Sequence, residues 1–246
     1  MKPFSKTIRG KAIARTKEAW EAHELRHANL GDVRLNRRLV NVVGTLASHP
    51  ASIVPKTCDS WADTKGVYRL WDSSRVTPQA IREAHTQSTL ERLEGLGVVL
   101  AIQDTTSLDF THHPARKGVG PLDHPGRQGV KVHSVLAASI QGVPLGIIHQ
   151  QDWVRDPQTV GKRHKRRQYA TEDEESQRWL TALGATQELI SQETTVVTVA
   201  DREADIYALL ATPRRPGSEL LIRATHNRRV SHQARYLWDA VLQSPV

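Results

Sequence analysis

Apolar residues recur along this chain with two different periods, and the change from one to the other divides it. Leu35, Leu39, Val42, Val43 and Leu46 fall at helical spacing and form one stripe. Gly31-Asp32 ahead of them predicts a helix start with Asp32 as N-cap, and His49-Pro50 a stop. Trp61, Lys65, Tyr68, Arg69 and Trp71 predict a second helix whose aromatic residues are expected in the core. Thr77-Pro78 opens a third, reaching about Gly95. From there β-branched runs take over. Strands are predicted at 98–103, 130–140 and 143–150, the last two joined by a tight hairpin at Gln141-Gly142. Thr171 and Glu174 form a capping box for a helix carrying Trp179, Leu180 and Leu183. A strand at 196–200, a helix at 203–210 and a strand at 219–224 complete the series. The prediction is a small helical domain at residues 1–75, then an α/β domain at 76–246 built on a mixed sheet flanked by helices.

Charge sharpens that division. Residues 1–75 hold 14 Lys and Arg against 7 Asp and Glu, whereas 76–246 hold 20 against 19. A basic module on a near-neutral body suits a polyanionic partner. Within it, Arg34, Arg37, Arg38 and Asn41 share the face opposite the apolar stripe, a set suited to phosphate and base-edge contacts with double-stranded DNA. An ordinary solvated face is the competing reading. A second basic run, Lys162, Arg163, Lys165, Arg166 and Arg167, lies between strand and helix and fits phosphate too. The long loop 111–129 carries Arg116, Lys117 and Arg127. One cysteine, Cys58, allows no internal disulfide and no thiolate metal site, and a reducing, cytoplasmic setting is expected. No stretch has the length of a membrane span. Residues 1–17 are basic and free of acids, which fits a nucleic-acid-binding arm or a transit peptide.

Two apolar runs end in an aspartate: the first at Gln103-Asp104-Thr105-Thr106, the second at Ala200-Asp201-Arg202-Glu203-Ala204-Asp205. Carboxylates on adjacent strands could share a hard divalent ion such as Mg²⁺. Alternatively, Asp104 starts a turn and Asp201 caps a helix.

The Asp-Thr-Thr run, His149-Gln150-Gln151-Asp152-Trp153, and Asp201 to Tyr207 resemble the bacterial cut-and-paste transposases of the insertion-sequence-four family. Leu30 to Arg34 with Arg37-Arg38, and Trp61-Ala62-Asp63 through Tyr68-Arg69, resemble that family's helical end-binding domain. The likeness covers roughly residues 17–240. It implies a ribonuclease-H-like fold, Asp104 and Asp201 as catalytic metal ligands, and two Mg²⁺ or Mn²⁺ ions in the complete enzyme. It also implies cleavage and transfer of DNA strands, transposon ends and target DNA as partners, and a homodimer in the synaptic complex. Arg202 joins the expected DNA contacts, as do Arg223, Arg228 and Arg229. His112, His113 and His133 are expected to be surface or packing residues, and Trp153 and Trp179 core.

The family's third acid belongs to a Tyr-Arg-Glu-Lys signature that this sequence lacks. After Asp201 the only acids are Glu203, Asp205, Glu219 and Asp239, none at the expected place. The expectation is a C-terminally truncated transposase with little strand cleavage of its own. A catalytically inactive DNA-binding regulator of transposition is the alternative use of the same fold, and an unrelated metal-dependent phosphoesterase the outlier.

Overall fold

The computed structural model describes residues 19–113, 115–157, 171–231 and 234–244. The chain divides into two compact units, with the division between Thr77 and Pro78.

The first unit holds α1 (Trp20–Glu24), α2 (Val33–Ser48), α3 (Val54–Thr57) and α4 (Trp61–Trp71). Gly31 turns the chain into α2 at a φ of 73°, a region a β-carbon disfavours. The Asp32 carboxylate then accepts from the Arg34 amide at 2.7 Å, as the N-cap reading required. Leu39 and Val42 carry the buried stripe, with Leu35, Val43 and Leu46 half-buried beside them. Ser60 caps α4 by accepting from the Asp63 amide at 3.1 Å. The core face of α4 is Thr64, Val67 and Leu70. That corrects the expectation for its aromatics: Trp61, Tyr68 and Trp71 are 66 %, 43 % and 51 % exposed. Smaller residues one to three positions away take the inward positions, so the large rings face water, Lys65 standing 5.5 Å from the Trp61 ring centre.

In the second unit α5 (Pro78–Leu93) precedes β1 (Val98–Asp109), β2 (Gly120–Pro121), β3 (Gln128–Ala138) and β4 (Pro144–Trp153). Then follow α6 (Thr171–Leu189), β5 (Thr195–Ala200), α7 (Tyr207–Ala211), β6 (Ser218–Ile222) and α8 (Leu237–Gln243). The strands form one mixed sheet. β1 pairs antiparallel with β3 and parallel with β5, β5 pairs parallel with β6, and β3 also pairs with β4 and the short β2. This helical region followed by a mixed sheet flanked by helices is consistent with a ribonuclease-H-like fold.

One sheet face is dry. Val99, Ala101, Val135, Ala137 and Val196 pack with Leu93 of α5 and Ala182 of α6. Trp179 and Leu183 of α6 extend that layer over Ala200, Ala204 and Leu209. The hairpin turns at Gly142, whose φ is 80°.

Two elements differ from expectation. β1 does not end at Gln103; six more residues pair with β3, down to Asp109↔Gly129. Thr105, Thr106 and Ser107 look like turn residues by polarity, but the partner strand satisfies their backbone. The helix expected at 203–210 is instead a 3-10 turn, Arg202–Ala204, and the separate α7. Between them Ile206 is extended at φ −113° and ψ 138°. The break follows from Asp205, whose carboxylate is committed to the backbone of a distant segment.

Candidate functional site

Register decides where the two strand-end aspartates lie. Parallel pairing of β1 with β5 runs from Val98↔Thr195 to Gln103↔Ala200. Asp104 is the next residue of β1 and Asp201 the first residue past β5, where it keeps an extended backbone at φ −80° and ψ −169°. Gln103 and Ala200 are buried on the helix-covered face. Alternation therefore sets both aspartates at neighbouring positions on the opposite face, where both are exposed. Asp104 sits within a strand, which removes the turn-start reading for it. Asp201 does cap: its Oδ1 accepts from the Glu203 amide at 2.8 Å. Among the described residues nothing engages Oδ2 of Asp201 or the Asp104 carboxylate. Nor do any three His, Cys, Asp or Glu among the described residues converge as a metal site.

Behind the pair, on the dry face, lies a polar network that the sequence did not announce. Arg178 of α6 donates from Nε to Thr105 Oγ1 at 3.0 Å and from Nη2 to Glu203 Oε2 at 3.2 Å. Its guanidinium also lies against the rings of Trp153 and Trp179, 5.6 and 5.4 Å from their centres. Thr105 Oγ1 meets His133 Nδ1 at 2.9 Å, and His133 Nε2 meets Gln103 Oε1 at 3.2 Å. Since the Arg178 Nε–H can only donate, the Thr105 hydroxyl is free to donate onward to Nδ1, leaving Nε2–H for Gln103. Burial first, then the Arg178 charge and His149, hold the His133 pKa down at about 4. The imidazole is neutral at pH 7, and its ring packs edge-on against Trp179 at 4.6 Å. His133 is thus a packing residue, as expected, with a polar duty added; His112 and His113 are exposed. Trp179 is core and Trp153 half-buried.

Other charges are spent on the fold. Asp205 is buried and accepts from the amides of Thr225 and His226 at 2.6 and 2.9 Å. Arg228 adds a forked pair to Oδ1 at 3.1 and 2.8 Å. Burial opposes the ionised form of Asp205, but these four bonds outweigh it and keep its pKa below the ordinary carboxylate value. Arg228, expected among the DNA contacts, is here a structural clamp on Asp205. In the long loop, Arg127 pairs with Asp109 at 2.5 Å, and Asp123 receives Lys131 and, at 2.6 Å, Arg155. The Thr111 hydroxyl and amide, with Arg127, hold the Asp109 pKa at about 2. Arg116 donates to Gln128 and to the carbonyls of Thr111 and His113. Two of the loop's cations, Arg116 and Arg127, thus tie the loop together.

In the helical unit Arg34, Arg37, Arg38 and Asn41 are all exposed. They border a groove of about 840 Å³ whose other wall includes Asp63 and Gly66 of α4. Arg202 is exposed on the 3-10 turn beside Asp201. Lys162, Arg163, Lys165, Arg166 and Arg167 lie outside the described residues.

Residues 17–76 match the family model for transposase DNA-binding, a stretch containing all four helices of the first unit. The match supports a transposase, and DNA binding is the function it supports. No helix among the described residues is long and apolar enough to cross a membrane.

Proposed function

We propose that this protein is a cut-and-paste transposase of the insertion-sequence-four kind, which grips the terminal DNA of its element through the helical unit and presents Asp104 and Asp201 to the strand being processed. The observation that favours this over DNA binding alone is the Gln103↔Ala200 register, which leaves two open carboxylates side by side on one face. Their donors are hard oxygens with no sulfur among them, the set that suits Mg²⁺ or Mn²⁺. Bound there, such ions would supply the Lewis acidity that activates water or a DNA 3′-hydroxyl and stabilises a leaving 3′-oxygen. The chain's own contribution is placement. Strand pairing brings the two acids to adjoining strand ends, Asp201 spends one oxygen on its cap and keeps the other open, and the exposed arginines of α2 meet the DNA backbone. Two copies on paired transposon ends is the assembly this reading implies.

Two measurements test it. Mn²⁺ titration followed by electron paramagnetic resonance should show ion uptake that D104N and D201N each remove; uptake unchanged in both variants overturns the metal-site assignment. Fluorescence anisotropy should show tighter binding to duplexes carrying the element's terminal sequence than to unrelated duplexes at fixed salt. Equal affinity for both sequences would leave a non-specific binder and defeat the end-recognition part.

A further inference from the structure

We infer that Arg178 is the positioning residue that fixes the spacing of the Asp104–Asp201 pair, and so sets the pair's affinity for a divalent cation. This rests on the reading above and deepens it. The sheet's own hydrogen bonds cannot do this work. The β1–β5 ladder stops at Gln103↔Ala200, one residue short of each acid, and β5 itself ends there. Beyond that point β1 continues on β3, whereas the chain after Asp201 turns away into a 3-10 turn.

Arg178 bridges this gap. Its Nε holds the Thr105 hydroxyl, one residue past Asp104; its Nη2 holds the Glu203 carboxylate, two residues past Asp201. Glu203 is in turn tied to Asp201 through its amide. One guanidinium therefore spans both strand ends immediately downstream of the acids, from the face opposite to them. The guanidinium is itself fixed: its side chain is 11 % exposed and it is lodged by Trp153 and Trp179. The Thr105 hydroxyl is held from its other side by His133. Arginine is required because a planar fork reaches two partners at once, which an ammonium on a flexible stem does not do in one geometry.

The test uses the same Mn²⁺ titration on the full chain, at a temperature well below every variant's melting point. R178K keeps the charge and loses the fork, and T105V removes the hydroxyl; each should weaken the uptake that depends on Asp104 about tenfold, the scale seen when the outer partners of metal ligands are removed. T105S restores the hydroxyl and should bind within twofold of the parent. E203A, at a side chain 60 % exposed, cuts the other arm and carries the test if a core variant fails to fold. Parent-like affinity in R178K, T105V and E203A, with uptake still lost in D104N, overturns the inference while sparing the reading beneath it. Parent-like affinity in D104N and D201N as well overturns the metal site itself.

Discussion

Asp201 and Asp205 stand four residues apart on one segment and have opposite fates. Around Asp205 every group is taken: the carboxylate is buried, two amides and one guanidinium converge on it, and the corner formed with residues 225–228 is closed. Around Asp201, and across from it at Asp104, the carboxylates face outward with oxygens to spare. The same contrast separates Arg228, locked on Asp205, from Arg34, Arg37 and Arg38 on the open face of α2. Charge by itself does not mark a functional residue in this protein. What distinguishes the open set is that the fold leaves polar atoms of it uncommitted, even at Asp201, where one oxygen caps the 3-10 turn and the other stays open.

The largest effect should come from the closed corner. D205A removes a buried partner and strands Arg228, and should lower stability by about 4 kcal/mol. A scan should show the melting temperature of the sheet unit falling by roughly 10 °C. A loss below about 1 kcal/mol would erase the contrast.

Next is acid. His133 has its folded pKa near 4, below the unfolded value of 6.5, so the unfolded chain takes up the proton first. Its contribution is complete above pH 6.5 and should drain away as pH falls to 4, reaching about 3 kcal/mol. Urea melts across that window should show the decline, and H133N should flatten it. The Asp109 clamp behaves in the same direction lower down: its folded pKa is about 2, so its contribution persists above the unfolded value near 3.8 and is lost only as pH drops toward 2.

A smaller effect is expected on the open arginines. R37A and R38A together should weaken duplex binding about tenfold at moderate salt, by a similar factor for every sequence, and reduce the salt slope by about one per residue. Neither should move the melting temperature by more than a degree or two. The smallest is the sharpest comparison with Asp205: D104N and D201N should alter stability by no more than about 0.5 kcal/mol, because both positions are exposed. A large destabilisation would make them members of the structural set.

Much of the site was legible from periodicity. The Asp32 cap, the α2 stripe and its basic face, the hairpin at Gly142 and the strand ending at Ala200 all follow from local spacing and turn chemistry. The aromatic residues of α4 misled, because ring size says nothing about which side of a helix meets the core. Arg178 was invisible for a related reason: a cation in a helix reads as solvated until the partners 73 and 25 residues away are known.

The linear chain by itself determined most of the strands and helices, though not the far end of β1 or the break at Asp205, since backbone propensity, apolar period and capping act over a few residues. It also determined that two aspartates end apolar runs. Only the tertiary structure decided that β1 lies beside β5 in a register that makes those aspartates neighbours, that Asp205 is closed and Asp201 open, and that one guanidinium spans the gap between the strand ends. Those outcomes depend on pairing across about a hundred residues, where the competing arrangements differ by burial and hydrogen bonding that no local window contains.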